Sequence, residues 1–136
     1  MLENNLDKIE WHILSRNQSA ISLLEKNQDK IDWINLSRNP AAIRLLEQNQ
    51  DKIYWRPLCD NPAAIRLIEA NMDKIDWRYL SSNPEATHLF GNSVENIHWQ
   101  SLSQNPSAWA MELLENNPEK IDWNAIWLNK GIFDDG

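Results

Sequence analysis

Tryptophan recurs at Trp11, Trp33, Trp55, Trp77, Trp99 and Trp123, at steps of 22, 22, 22, 22 and 24 residues. Self-similarity at a fixed period of this size restricts a chain to a solenoid or array, in which each unit buries its apolar face only against its neighbours. The unit reads W-x-x-L-S-x-N-P-x-A-I-x-L-L-E-x-N-x-D-K-I-D, and its fullest copy runs from Trp33 to Ile53. Residues 1–10 form a part-unit, because Leu2, Glu3, Asn5, Asp7, Lys8, Ile9 and Glu10 match Leu24 to Asp32. Five units start at Trp11, Trp33, Trp55, Trp77 and Trp99, and a terminal part-unit starts at Trp123. The repeat thus fills residues 1–136 as a single domain and leaves no linker between units.

Each unit is expected to hold two short helices. Pro57 fixes where the first begins: if the helix starts at Trp55, Pro57 is its third residue, where backbone N–H groups have no intrahelical partner. A start after Asp51 would instead place Pro57 in the helix interior. The first helix is therefore expected from Trp33 to about Arg38, capped by Asp32, with Ile31 and Leu36 as a hydrophobic staple. The staple recurs as Ile9/Leu14, Ile53/Leu58, Ile75/Leu80 and Ile97/Leu102. Asn39-Pro40 reads as the start of the second helix, since Asn caps free N–H groups and Pro fits the first helical position. Ala42, Ile43, Leu45 and Leu46 give its apolar stripe, and Asn49 stands where a left-handed C-terminal residue is wanted. A leucine-rich-repeat solenoid has a similar period, but no L-x-L strand occurs and A-A-I-R-L-L-E-Q is poor strand material. The expected fold is an all-α solenoid, right-handed or otherwise superhelical, of about 22-residue two-helix repeats.

The expected repeat core is Trp11, Trp33, Trp55, Trp77, Trp99 and Trp123, with Leu14, Leu36, Leu58, Leu80 and Leu102, and Ile43, Ile65 and Leu46. The asparagines 17, 39, 61, 83, 105 and 129 read as caps rather than as a recognition code. Five places depart from the pattern. Asn105 to Trp123 spans 18 residues rather than 16, so Trp109 either fills extra space on a longer helix or presents an aromatic to a partner. Trp127 replaces the Ser of L-S-x-N and is expected to close the last repeat. Gly91 replaces the recurrent Glu, and Ser93 an Asn, which predicts a kink or early stop after Phe90. Tyr54 and His98 stand at cap positions and predict lost caps, at about 1 kcal/mol each.

Eight Trp against two Phe and two Tyr is unusual, but 42% apolar and 24% charged residues describe a globular chain. The net charge of −7 argues against binding a phosphate backbone. No apolar run reaches the roughly 20 residues needed to cross a bilayer, and residues 1–11 lack a basic segment followed by an apolar one. A membrane or secreted protein is not expected. Residues 1–78 hold 11 bases and 12 acids, whereas residues 79–136 hold 2 and 8. No catalytic, cofactor or metal site is expected. The paired acids Asp29/Asp32, Asp73/Asp76 and Glu119/Asp122 recur as caps and first-turn dipole partners. His12, His88 and His98 lie at different repeat positions, and no histidine is placed to activate Cys59, the sole cysteine.

The run N-x-D-K-I-D-W-x-x-L-S-x-N-P-x-A-I-x-L-L-E, as at Asn71–Leu80 and Leu36–Glu47, resembles the tryptophan-repeat proteins of large DNA viruses, including giant viruses and insect poxviruses. Ile132-Phe133-Asp134 is similar to the I-F-acid ending of such proteins, whereas Trp127-Leu128-Asn129-Lys130 departs from their S-x-N-P. The resemblance implies a viral protein of the host cytoplasm or the virion, and no particular activity. The expected function is a non-enzymatic scaffold that binds a viral or host protein through variable positions. These follow each Trp, each Ser and each Ile of the unit, with Arg38, Arg44, Arg56, Arg66, Arg78 and Trp109 as candidate contacts. Two alternatives stand beside it. One is a self-associating structural component that stacks end to end. The other is single-stranded nucleic-acid binding by the Trp row, which the acidic charge disfavours.

Overall fold

The computed structural model describes residues 1–91 and 94–133. Among them every element is helical, and the repeats form an α-solenoid of paired short helices. The pairs are α1 (Trp11–Leu14) with α2 (Ile21–Lys26), α3 (Trp33–Ser37) with α4 (Ile43–Glu47), and α5 (Trp55–Leu58) with α6 (Ile65–Glu69). They continue as α7 (Trp77–Leu80) with α8 (Thr87–Phe90), and α9 (Trp99–Leu102) with α10 (Ala108–Asn116). Single 3-10 turns join most of them, and two more, Ile126–Leu128 and Lys130–Phe133, follow Trp123.

Acidic side chains cap two of the five first helices, Asp32 before α3 and Asp76 before α7, whereas Glu10 before α1 makes no cap bond, and Asp122 caps the turn that follows it. Asp32 accepts the Asn35 N–H at 3.0 Å, and Asp122 accepts those of Asn124 and Ala125 at 2.9 Å. Pro57 is the third residue of α5. Tyr54 supplies no side-chain cap, but His98 does, contrary to the sequence expectation. Its Nδ1 accepts the Ser101 N–H at 3.3 Å and lies 2.8 Å from the Ser101 hydroxyl.

The second α-helices do not begin at the Asn-Pro step expected to start them. Pro40–Ala42 forms a 3-10 turn before α4, since Asn39 ties down the Ala41 N–H through its side chain (3.0 Å) and the Ala42 N–H through its carbonyl (3.0 Å). Asn49 is not left-handed either: its φ is −135°, and Nδ2 donates to the Leu45 carbonyl at 2.9 Å, capping α4 by side chain instead of by backbone reversal. The expected early stop occurs after Phe90, where Gly91 has φ +50°, a conformation that strains residues with a Cβ. The companion expectation at Ser93 lies outside the described residues. In α10 the two extra residues give one unbroken nine-residue helix.

The core runs through the stack as Leu24, Leu46, Ile68, Phe90 and Leu114 from the second helices and Leu36, Leu58, Leu80 and Leu102 from the first. Ala42, Ala64, Ala86 and Ala110, all fully buried, let neighbouring units approach closely. The tryptophans differ from the expectation. Trp11, Trp33, Trp55, Trp77 and Trp99 are half-buried against the rim of this core, and Trp123 is 60% exposed. An indole at the first helical turn lays one face on the core and meets solvent with the other. The lysine of the D-K motif covers that face: Lys52 Nζ is 5.1 Å from the Trp33 ring centre, and Lys74 Nζ 4.9 Å from that of Trp55. Leu14, Ile43 and Ile65 are likewise half-buried.

The asparagines expected only as caps also join one unit to the next. Asn61 Oδ1 accepts the Ala63 N–H, while Nδ2 donates to the carbonyls of Ser37 (3.0 Å) and Asn39 (3.1 Å) in the preceding unit. Asn83, Asn105 and Asn129 repeat the double donation, and Asn39 donates to Ser15 alone. A parallel row of serines does the reverse. Ser37 Oγ donates to the Trp33 carbonyl and accepts the Tyr54 N–H at 3.1 Å, and Ser15, Ser81 and Ser103 act alike. Replacing Asn61 by Ala strips the Ser37 carbonyl of its side-chain donor, leaves the Asn39 carbonyl with the Ala42 N–H alone and removes a cap, and should cost about 2 kcal/mol or more in urea unfolding. Asn17, exposed and a cap only, should cost about 1 kcal/mol when changed the same way.

Candidate interaction faces

Inward positions are taken by the recurrent residues, so the variable ones line the outside. After each Trp come His12, Ile34, Arg56, Arg78 and Gln100, all exposed. After each Ser or its replacement come Arg16, Arg38, Asp60 and Gln104, exposed, with Ser82 half-buried. Both rows belong to the first helices. Ser22, Arg44, Arg66 and His88 form a third exposed row along the second helices. The candidate arginines therefore divide between two faces.

On the first-helix face the arginines are engaged by the chain itself. Arg78 grips Asp76 with two bonds, Nη2 to Oδ2 at 2.8 Å and Nε to Oδ1 at 3.1 Å. Arg56 approaches the same carboxylate at 3.8 Å and lies 4.9 Å from the Tyr79 ring centre. Arg78 hydrogen bonding holds the Asp76 carboxyl below the usual carboxylate range, so this cluster stays charged to lower pH than an ordinary Asp would. Arg38 reaches Asp60 at 3.9 Å; partial burial pushes the Asp60 carboxyl upward, and Arg38 opposes that. Beside them is an open groove of about 330 Å³ lined by Asp60, Arg78, Tyr79, Ser82, His98, Ser101 and Gln104.

On the second-helix face, Arg44 and Arg66 are exposed, and among the described residues no carboxylate lies within 4.0 Å of either. Arg66 and His88 border a shallow groove of about 600 Å³ between α6 and α8, with Glu69 and Glu85 on its other walls.

Trp109 is half-buried in α10 and stacks on Phe90 at 5.3 Å between ring centres, and Trp77 packs on Phe90 at 5.2 Å in a tilted arrangement. It occupies the room that the longer helix creates over α8. Trp127, expected to close the last repeat, is 63% exposed, because nothing described packs over the outer face of the Ile126–Leu128 turn.

Cys59 takes the serine place in the third unit and is fully buried. Burial pushes its thiol from 9.0 up to about 11. The thiolate forms only as pH rises toward that value, so labelling by a disulfide reagent at pH 8 should be at least about a hundredfold slower in the folded chain than in urea.

No helix among the described residues is long and apolar enough to cross a membrane. Comparison with protein-family models, with curated protein sequences and with solved structures finds no match.

Proposed function

We propose that this chain is a non-enzymatic protein-interaction scaffold whose principal contact row is Arg44 and Arg66, and that its partner presents acidic side chains at a matching spacing. The observation that carries this reading is the contrast between the two sets of arginines. Arg38, Arg56 and Arg78 already face Asp60 and Asp76, whereas Arg44 and Arg66 stand exposed, one per unit at the same register, without a carboxylate partner among the described residues. Stacked helices lie roughly 8–10 Å apart, so successive units offer charges at a fixed pitch to an extended or helical segment. The resemblance to viral tryptophan-repeat proteins supports action in an infected cell or in the virion, without a cofactor.

Nucleic-acid binding by the Trp row has less support, because Lys52 and Lys74 cover the rings of Trp33 and Trp55 where bases would have to stack. Changing Arg44 and Arg66 together to Glu should lower partner affinity at least about tenfold while leaving far-UV circular dichroism unchanged. Changing Arg38 and Arg56 together should have a smaller effect. Equal retention of a cross-linked partner by wild type and by the Arg44/Arg66 double variant would remove this row from consideration.

A further inference from the structure

Two irregularities of the repeat coincide where the fourth and fifth units meet. The first is α8, which stops at Phe90, one residue short of the place where α4 and α6 end. The second is α10, which carries the two extra residues and runs unbroken from Ala108 to Asn116. Beside α10 lie two adjoining grooves that share Leu113. One, of about 530 Å³, is lined by Val94, Ile97, Trp99 and Leu113, with Glu95 and Lys120 among its polar residues. The other, of about 190 Å³, is lined by Trp109, Glu112, Leu113 and Asn116. We propose that this double groove binds an amphipathic helix of a partner protein, apolar on one face and rich in lysine or arginine beside it.

Apolar surface covered in other units is left open here. Leu113 stands where Leu45 and Leu67 stand in earlier units, yet those are 0% and 5% exposed and Leu113 is only half-buried. Val94 is 52% exposed. Lys52 and Lys74 lie over the rings of Trp33 and Trp55, whereas Lys120, at the same place in the motif, lies over no described ring, and Trp99 lines the groove.

Shape selects a helix as the occupant. Trp109, Glu112, Leu113 and Asn116 follow i, i+3, i+4, i+7 spacing and so form one face of α10, along which a second helix can pack its own ridge. Among the described residues there is no strand edge to which an extended segment could add. Charge selects a basic one. Between Tyr79 and Glu119 there is no Lys or Arg, while Glu85, Glu95, Glu112, Glu115 and Glu119 are all present. Glu95 and Glu112 are exposed on the two grooves, and no described cation lies within 4.0 Å of either. Lys120 is the one cation among the lining residues and opposes such a partner. This preference is opposite in sign to that of Arg44 and Arg66, so the surface takes a different partner and stands apart from that row.

The probe is a fluorescein-labelled helical peptide of about 15 residues, with leucines at the same spacing and lysines elsewhere, titrated with the whole chain by fluorescence anisotropy. It should bind wild type, and the variant carrying Glu95→Lys and Glu112→Lys should bind it at least about tenfold more weakly. Lys120→Glu should bind it about threefold more tightly, and the variant carrying Arg44→Glu and Arg66→Glu should bind it no more weakly than wild type. All these residues are exposed, so the fold is retained, as circular dichroism will verify. A second peptide with serine for every leucine should bind at least about tenfold more weakly than the first. Equal binding of the two peptides overturns the proposal, since it would mean attraction by charge alone. So does a wild type that fails to bind the probe, or an affinity unchanged by the Glu95 and Glu112 substitutions.

Discussion

A primary amide buried between two repeats governs this molecule. Asn61 caps its own turn with Oδ1 and spends both Nδ2 hydrogens on carbonyls 22 and 24 residues earlier, and Asn83 and Asn105 do the same. A buried amide that lost those acceptors would cost more than the net worth of the bonds themselves. Each unit is therefore sound only when stacked on the one before it. First helices of four or five residues could not persist in water alone, and this coupling makes them persist. Among the described residues every buried side-chain nitrogen and oxygen has a partner, so the polar row is compatible with a tightly packed apolar core on either side.

The sequence disclosed whatever is enforced locally. The period, the helix start set by Pro57, the cap at Asp32 and the stop at Gly91 follow from backbone geometry within a few residues. What it concealed depends on neighbours distant in the chain. Asn39 and Asn49 look alike in sequence, yet Asn39 reaches Ser15 in the preceding unit while Asn49 turns back four residues to Leu45. Only the position of each relative to the stack separates them. The tryptophans misled for a related reason: hydrophobicity and periodicity mark a residue as packed, but not whether it lies at the centre of the core or at its rim. His98 was concealed because an imidazole caps a helix only in one ring orientation.

Division of labour among positions also explains the surface. Residues repeated in every unit are occupied with neighbours, which leaves substitution free at the outward rows. Two aspartates at such outward or cap sites, Asp60 and Asp76, tie arginines of adjoining units together across 20 to 22 residues of sequence. Exposed pairs of this kind add little stability, and their larger effect is to neutralise one side of the solenoid. On the second helices, Arg44 and Arg66 have no carboxylate within 4.0 Å among the described residues, although Glu69 and Glu85 line the groove beside Arg66.

All the inter-unit bonds of the two polar rows share a polarity. The Asn amide and the backbone N–H that donate belong to the later unit, and the carbonyl and hydroxyl that accept belong to the earlier one. During synthesis from the N-terminus, each emerging repeat finds its acceptors already in place on a finished template, and no nascent unit waits for a later one to satisfy its donors. Shortening from the two ends is correspondingly unequal. Loss of the last repeat bares acceptors, carbonyls and hydroxyls, whereas loss of the first bares donors, beginning with the Asn39 amide, and water solvates either set as it does the exposed Asn17.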